Sequence, residues 1–133
     1  MAARALRHRD RSRREIDDRL AKAGVTDTDR TDALDTLERV GYVDDERFAL
    51  TRAAALATRG YGDEWIRHDL ESHGIDAEAG EAALAGLEPE ADRARRVAER
   101  LGRTRKTASH LARKGFGEDA IESAVGEIAA DAG

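Results

Sequence analysis

The hydrophobic and polar positions of this chain repeat in three blocks. In each block a leucine is followed four residues later by a glycine and then by an apolar residue. The three copies are Leu20, Gly24 and Val25; Leu70, Gly74 and Ile75; and Leu111, Gly115 and Phe116. When the blocks are aligned on their glycines, apolar residues also recur nine, ten and thirteen positions later, so one structural module is used three times.

Each copy of this pattern has the form of a helix end followed by a second helix. Glycine adopts the left-handed backbone that is needed just past a last helical turn. The later apolar positions share one face of a following helix, because residues three and four apart lie above each other. We therefore predict that Gly24, Gly74 and Gly115 each join two helices at a sharp corner.

Polar residues before the apolar runs mark the helix starts. Ser12 and Glu15 have the spacing of a capping box. Further candidate N-caps are Thr26, Asp44, Asp63 and Asp76. With stops at glycines 41, 60 and 102, the pattern predicts nine helices, at about residues 2–9, 13–23, 28–40, 45–59, 64–73, 77–87, 90–101, 105–114 and 118–131.

These helices predict an all-α fold, since no segment shows the alternation or the β-branched content of a strand. They group into three tandem three-helix repeats, at residues 1–41, 42–88 and 89–133, of which the first begins with a short helix. Only 40% of the 133 residues are hydrophobic, and two Phe, two Tyr and one Trp are the only aromatic residues. Small stacked cores in an elongated, curved body suit this composition better than one large core.

The third repeat differs from the others at one core position. Thr107 stands where Ile16 and Ile66 supply an apolar side chain, which predicts a looser core. Cysteine is absent, which excludes disulfides and thiolate chemistry. No apolar run approaches the about 20 residues of a membrane-spanning helix, so we expect a cytoplasmic protein.

The net charge of −5 hides a strong segregation of charge along the chain. Residues 91–114 hold nine basic groups against Asp92 and Glu99, while the middle of the chain is acidic. Such basic clusters are candidate contacts for an acidic protein groove or for DNA phosphates, and a solvated helix face is the alternative interpretation. The candidate residues are Arg9, Arg11, Arg13 and Arg14 at the start, and Arg93, Arg96, Arg100, Arg103, Arg105, Lys106, Arg113 and Lys114 in the third repeat.

Three- and four-residue spacing sets the faces of the predicted helix 90–101. Arg93, Arg96 and Arg100 share one face, and the spacing leaves Ala94, Val97, Ala98 and Leu101 to face a core. No aromatic residues interleave with these basic residues, which argues against single-strand binding. Trp65 is interpreted as a packing residue.

The most distinctive local sequence is residues 41–49, which read Gly-Tyr-Val-Asp-Asp-Glu-Arg-Phe-Ala. Asp44 and Asp45 suit the positive end of a helix dipole, while Phe48 inserts into the core, so the capping and packing residues of this motif are Tyr42, Asp44, Asp45, Arg47 and Phe48. Consecutive helical residues point about 100° apart, so capping is favoured over a Mg²⁺ site.

Signals of catalysis are missing from the sequence. There is no glycine-rich phosphate loop, and His8, His68, His73 and His110 lack the spacing of a helical zinc pair. We interpret these histidines as solvated side chains. The sequence therefore predicts no enzyme activity, no cofactor and no metal.

Residues 11–16 and 20–24, the motif at 41–49 and the later segment 111–116, in this order, resemble the RecX family of regulatory proteins over about residues 5–130. The resemblance implies tandem three-helix units and a bacterial modulator of the RecA recombinase. Such proteins lodge along the helical groove of the RecA filament on DNA and mainly inhibit its ATPase, strand-exchange and coprotease activities, in recombination and the SOS response. We expect a monomer that contacts RecA, DNA or both through its basic residues.

Two alternatives from other classes stay open at this point. A direct DNA-binding protein would use the corner at Gly115 as a helix-turn-helix, but the second helix is acidic through Glu118, Asp119, Glu122 and Glu127, which repels phosphates. A generic helical-repeat adaptor would bind an unknown protein.

Overall fold

Eight helices make up the described part of the chain. In the computed structural model, residues 11–132 are described, with side chains through residue 126, and they form α-helices and no strand. The helices are α1 Arg13–Lys22, α2 Asp27–Arg39, α3 Asp45–Thr58, α4 Asp63–Ser72, α5 Ala77–Ala85, α6 Glu90–Leu101, α7 Arg105–Arg113 and α8 Glu118–Ala132. The all-α prediction is confirmed, and the end of each of these helices lies within two residues of the predicted one. The predicted helix at 2–9 lies outside the described residues.

The helices pack in groups that follow the sequence order. The closest helix pairs join α1 with α2, the members of α3–α5 with one another, and the members of α6–α8 with one another. The second group buries Phe48, Leu56, Ile66, Leu70, Ile75 and Leu84. The third buries Ala94, Ala98, Leu111, Phe116, Ala124 and Val125. The repeat boundaries after residues 41 and 88 stay a prediction.

Each of the three predicted corners is a Schellman motif. Gly24, Gly74 and Gly115 have φ of 87°, 82° and 91°, which an L side chain rarely adopts. The amide directly after each glycine donates to the carbonyl of the leucine in the pattern, from Val25, Ile75 and Phe116 at 3.0, 3.1 and 3.0 Å. The prediction of helix ends at these glycines is confirmed.

The same motif also ends α2 and α3. The Tyr42 amide donates to Leu37 (2.9 Å) and the Tyr61 amide donates to Leu56 (3.1 Å), with Gly41 and Gly60 at positive φ. The Leu-x-x-x-Gly pattern is therefore a general helix stop. Only its position within a repeat makes it a corner between the second and third helices.

Most of the predicted caps are present. Ser12 and Glu15 form the capping box, and Thr26, Asp44 and Asp76 each accept an amide of their own helix. The prediction for Asp63 is wrong, because Gly62 occupies the N-cap position and Asp63 is the first residue of α4. Helix α4 therefore starts one residue earlier than predicted. The backbone amides of Gly62 and Asp63 donate hydrogen bonds to the neighbouring repeat, as described below.

Helix α6 departs from its predicted faces at one residue. Ala94 and Ala98 are buried, but Leu101 is 48% exposed, so its predicted core position is wrong. In α7, Thr107 is only 3% exposed, and its hydroxyl accepts a hydrogen bond from the Thr104 hydroxyl (3.3 Å). The buried hydroxyl thus has a hydrogen-bond partner and costs little, while the looser core expected at this position stays a prediction.

The first junction between groups places the start of α1 on the corner at Gly74. Ser12 is fully buried, and its hydroxyl donates to the His73 carbonyl oxygen (2.6 Å). The Arg13 amide donates to Asp45 Oδ1 (2.8 Å) at the first residue of α3. A Cβ on Gly74 would lie 2.7 Å from the Arg14 Cβ, so the approach requires glycine there.

The second junction repeats this arrangement between α4 and the corner at Gly115. The Gly62 amide donates to the Lys114 carbonyl oxygen (2.8 Å), and the Glu64 amide donates to the Gly115 carbonyl oxygen (3.1 Å). The Asp63 amide donates to the carboxylate of Glu90 (2.6 Å), the first residue of α6. Glu90 thus takes the place that Asp45 has at the first junction.

The groups are stacked rather than gathered around one core. The second and third groups each bury their own hydrophobic cluster, and hydrogen bonds at the junctions join neighbouring groups.

Candidate partner-binding surface

Arg13 belongs to the first junction and not to a free basic patch. Its amide binds Asp45, and its guanidinium pairs with Asp35 (3.0 Å) and with Glu38. These partners raise the pKa of Arg13, first through the hydrogen bond to Glu38 and against some burial. The side chain is thereby fixed between α2 and α3.

The other three arginines predicted near the start of the chain differ in their contacts. The Arg14 guanidinium donates to the Ser72 carbonyl oxygen and covers the corner of the second group. Arg11 lies 3.9 Å from Glu15 in a loose pair. Arg9 lies outside the described residues. The four basic residues predicted as one contact surface are therefore divided, and Arg13 and Arg14 hold the junction.

Arg93 is likewise an internal link. Its guanidinium donates to the carbonyl oxygens of Glu88 (2.9 Å) and Tyr61 (3.0 Å), and it pairs with Asp63. It also lies 5.9 Å from the centre of the Phe116 ring, and only 11% of its side chain is exposed. Arg93 therefore ties α6 to the start of α4, and the basic stripe predicted on α6 is reduced to Arg96 and Arg100 at its surface.

A basic surface remains on the third repeat. Its members lie on α6, α7 and the connection between them; we call them the third-repeat basic surface, and they are Arg96, Arg100, Arg103, Arg105, Lys106 and Arg113. Arg96 pairs with Glu88 (2.6 and 2.7 Å), and Arg103 donates to the Ala124 carbonyl oxygen (3.2 Å). No ion pair or hydrogen bond to another described residue is made by the side chains of Arg100, Arg105, Lys106 and Arg113. This surface can accept anionic groups without first breaking a buried contact.

Lys114 lies next to the basic surface but faces aromatic rings. Its ammonium is 3.7 Å from the centre of the Tyr61 ring, within the range of a cation–π interaction. The Tyr61 ring stacks on that of Trp65, with centres 4.7 Å apart and planes at 17°. The Cβ of Trp65 packs against Gly115, yet 45% of the residue is exposed. The fold thus brings two aromatic rings to basic residues that are distant in sequence.

The motif at 41–49 caps and packs. Asp44 accepts the Arg47 amide (3.0 Å), and the Arg47 guanidinium donates to the Gly41 carbonyl oxygen (3.1 Å), which closes the turn before α3. Phe48 is buried at 8% exposure, while Tyr42 is half exposed. These contacts connect α2 to α3, and about half of the Tyr42 side chain stays exposed.

An acidic groove of about 670 Å³ opens beside this motif, between α2, the start of α3 and α5. Its carboxylates are Glu38, Asp44, Asp45, Glu46, Asp76 and Glu78. Burial raises the pKa of Asp45, and the charges of Glu38 and Asp76 add to this rise, whereas the hydrogen bond from the Arg13 amide lowers it. Within the described part of the chain, no group of three or more His, Cys, Asp or Glu side chains is placed to hold a metal ion.

The histidines differ from one another in their surroundings. His68 is exposed and His110 is half-buried, whereas His8 lies outside the described residues. His73 is fixed, because its Nδ1 lies 2.8 Å from the Asp69 carbonyl oxygen and its ring contacts Phe48 with centres 5.5 Å apart. The interpretation of His73 as a solvated side chain is therefore wrong.

Sequence reasoning missed the residues that hold the junctions. Ser12 had been identified only as a cap, and Glu90 and Gly62 had not been identified at all. The sequence signal for Gly62 was a glycine directly before a helix start. The N-cap position usually carries Ser, Thr, Asp or Asn, so a glycine there indicates that another part of the backbone comes close. No local signal distinguishes Glu90 from other acids in a first helical turn.

Comparison with known proteins places the chain in one family. The family model of the second three-helix domain of RecX matches residues 44–84. The regulatory protein RecX of Xanthomonas axonopodis pv. citri (strain 306) is 36% identical over 129 residues, which cover 90% of this chain and 80% of that protein. The regulatory protein RecX of Stenotrophomonas maltophilia (strain R551-3) is also 36% identical, over 90% of this chain and 79% of that protein.

Solved structures show the same fold. A crystal structure of RecX from Lactobacillus salivarius superposes with a TM-score of 0.77 at 21% identity, covering 89% of this chain and 85% of that one. A second crystal structure, of a regulatory protein RecX, gives a TM-score of 0.74 at 20% identity, covering 92% of this chain and 67% of that one.

None of the helices in the described residues is both long and apolar enough to span a membrane. The relatives are regulatory proteins, which agrees with the expectation of a chain without catalytic activity. The identity to curated relatives over nine-tenths of the sequence, together with the shared fold, shows that this chain belongs to the RecX family of regulatory proteins.

Proposed function

We propose that this chain, as a RecX regulatory protein, modulates the RecA recombinase in the bacterial cytoplasm. It lies along the RecA filament on DNA and mainly inhibits the ATPase, strand-exchange and coprotease activities. The observation that carries this proposal is the third-repeat basic surface, where four cationic side chains have no partner among the described residues, in a chain of this family.

The stacked groups suit a filament groove that crosses several protomers. Both junctions are closed by backbone hydrogen bonds and buried side chains, so contact points on different repeats keep a fixed separation. Several modest contacts on one rigid body add through effective concentration, without one deep pocket. A net charge of −5 keeps the chain's own affinity for DNA low, so the basic surface contacts RecA, or DNA that RecA already holds.

The site assignment is tested by charge reversal in a RecA ATPase assay on single-stranded DNA. A variant with Arg96, Arg100 and Arg103 all changed to Glu should inhibit less while its helical content by circular dichroism is unchanged. Because Arg103 also contacts α8, the double variant without the change at Arg103 serves as a second test. A control with Arg19, Arg39 and Arg95 changed to Glu carries the same charge change on exposed positions elsewhere.

The outcomes separate the possible functions. Full inhibition by the triple and double variants would remove the third-repeat basic surface from the proposal. DNA binding without any effect of the parent chain on RecA would favour a direct DNA-binding protein. Neither effect would indicate an adaptor with another partner. Light scattering after size exclusion tests the proposed monomer.

A further inference from the structure

A groove of about 590 Å³ lies between the second and third repeats and is distinct from the acidic groove. One wall is the end of α3, with Ala54, Ala57 and Arg59, and the other wall is the outer face of α6. The α6 residues are Arg93, Arg96, Val97 and Arg100, and the connection with Gly86, Leu87 and Glu88 forms the floor. We call it the α3–α6 groove.

Positive charge dominates this groove. Arg59 and Arg100 have no carboxylate partner among the described residues, and the Arg59 guanidinium lies 5.9 Å above the Tyr61 ring. Glu88 is the single carboxylate in the lining, and it pairs with Arg96, whose side chain is 71% exposed. An ion pair with that exposure contributes little and exchanges readily with an incoming carboxylate. Three cationic groups are thus available along one groove.

The floor between these cations is apolar. Leu87 and Val97 are half-buried and pack at the edges of the second and third cores. Ala54 and Ala57 on the opposite wall are small, so they leave room for an apolar side chain beside the arginines. Arg93 closes one end, because it is held by internal hydrogen bonds and cannot swing out.

We propose that the α3–α6 groove binds an acidic peptide segment that carries an apolar side chain. Arg96 and Arg100 are one helical turn apart, a rise of about 6 Å. Alternate residues of an extended peptide are separated by about 6.6 Å on the same face, so two acidic side chains spaced by one residue match the two arginines. An apolar residue on the same face, two positions beyond one of the acidic residues, then lies on Leu87 and Val97.

Peptide fits this groove better than nucleic acid does. No aromatic ring lines the groove, so bases have no stacking surface. The rim next to Arg96 carries the carboxylates of Glu88, Asp92 and Glu99, which repel a continuous phosphate backbone. The separate acidic side chains of a peptide can avoid these carboxylates. The apolar floor also favours an apolar side chain, which DNA lacks.

This groove assignment deepens the proposed function. It rests on that function in one respect, because the acidic peptide is taken to come from the regulated partner. Its test therefore uses no RecA. The probe is a fluorescein-labelled peptide of about eight residues with alternating Glu around one Leu, and its binding to the full chain is measured by anisotropy at low salt. A peptide with Gln in place of each Glu and a single-stranded oligonucleotide are the competing probes.

The expected result is binding of the acidic peptide and loss of binding for the Gln peptide. Changing both Arg59 and Arg100 to Glu should weaken binding at least about tenfold, equivalent to about 1.4 kcal/mol. The matched control changes Arg39 and Arg95 to Glu, which is the same charge change at two exposed positions outside the groove, and it should change the affinity less than about twofold. Circular dichroism confirms that both variants keep their helices.

Several results would overturn the proposal. Equal binding of the Gln peptide would mean that charge is not recognised, and an equal loss in the control with Arg39 and Arg95 changed would mean a nonspecific field effect. Preferential binding of the oligonucleotide through the same arginines would make the groove a nucleic-acid surface. The RecA ATPase assay is a separate experiment: a parent chain that binds the peptide but does not inhibit RecA would refute the proposed function and leave the groove assignment intact.

Discussion

Replacement of Gly62 by alanine tests the second junction directly. Gly62 is buried at the N-cap of α4 with φ −86° and ψ 175°, a conformation that alanine adopts without strain. A Cβ there would lie 2.5 Å from the Phe116 amide nitrogen and 2.6 Å from the Gly115 carbonyl carbon and oxygen. Those atoms are backbone and cannot rotate away, so the start of α4 must leave the corner.

The magnitude follows from the contacts that depend on this approach. Three amides donate across the junction, one from the N-cap Gly62 and two from the first turn of α4, to the Lys114 and Gly115 carbonyl oxygens and to the Glu90 carboxylate. Each such bond contributes about 0.5–1.5 kcal/mol net, and alanine is a poorer N-cap than glycine, which adds up to about 1 kcal/mol. We expect Gly62→Ala to lower the free energy of unfolding by about 2–4 kcal/mol.

Urea unfolding followed by circular dichroism measures this loss. With a slope of about 2 kcal/mol per molar urea, the midpoint should fall by about 1–2 M. Amide hydrogen exchange should also accelerate at Gly62 and Glu64 before it does so in the cores. A loss below 0.5 kcal/mol with unchanged protection at these two amides would refute the junction geometry.

Gly80→Ala is the matched control for that experiment. Gly80 lies inside α5, and a Cβ there would meet nothing within 4 Å. The same chemical change should therefore stabilise the chain, by about 0.5–1 kcal/mol, because glycine is unfavourable within a helix.

Two further predictions concern the second repeat. Leu70 is 1% exposed, so Leu70→Ala should lower the free energy of unfolding by about 2–5 kcal/mol in chemical denaturation; a loss below about 1 kcal/mol would mean that the repeat register is wrong. The hydrogen bonds from Arg52 (2.8 and 2.9 Å) lower the pKa of Asp69, against its burial, so the stability that this pair adds is present above the usual carboxyl range and is lost as the pH falls through the lowered pKa. Asp69→Asn should therefore destabilise the chain at pH 7 but progressively less as the pH falls below the usual carboxyl range, and a loss that stays constant as the pH is lowered in urea titrations would contradict this assignment.

The helices and corners were predictable because their signals are local. A leucine, a glycine four residues later and an apolar residue after it are enough to specify a Schellman motif, and the sequence shows this at Gly24, Gly74 and Gly115. Core positions at Ile66 and Leu84 follow from helical periodicity. These features depend on neighbours within one or two turns.

The site was less predictable because charge on a helix face does not reveal its partner. Arg93 and Arg96 are three residues apart, yet Arg93 is fixed by Tyr61 and Asp63 from the previous repeat, and Arg96 is largely exposed. The partners of Arg93 lie 30 and 32 residues away, so only the packing of repeats decides which arginine is free. The same holds for Ser12, whose hydroxyl partner at His73 is 61 residues distant.

The two junctions are head-to-tail contacts. Each places the start of one repeat's second helix on the corner of the next repeat, so the two surfaces in contact differ and neither closes on itself. The second repeat both receives a helix start, that of α1, and presents one, that of α4. A head-to-tail contact of this kind can be repeated, so a member of this fold can gain reach by duplicating a repeat without inventing a new contact.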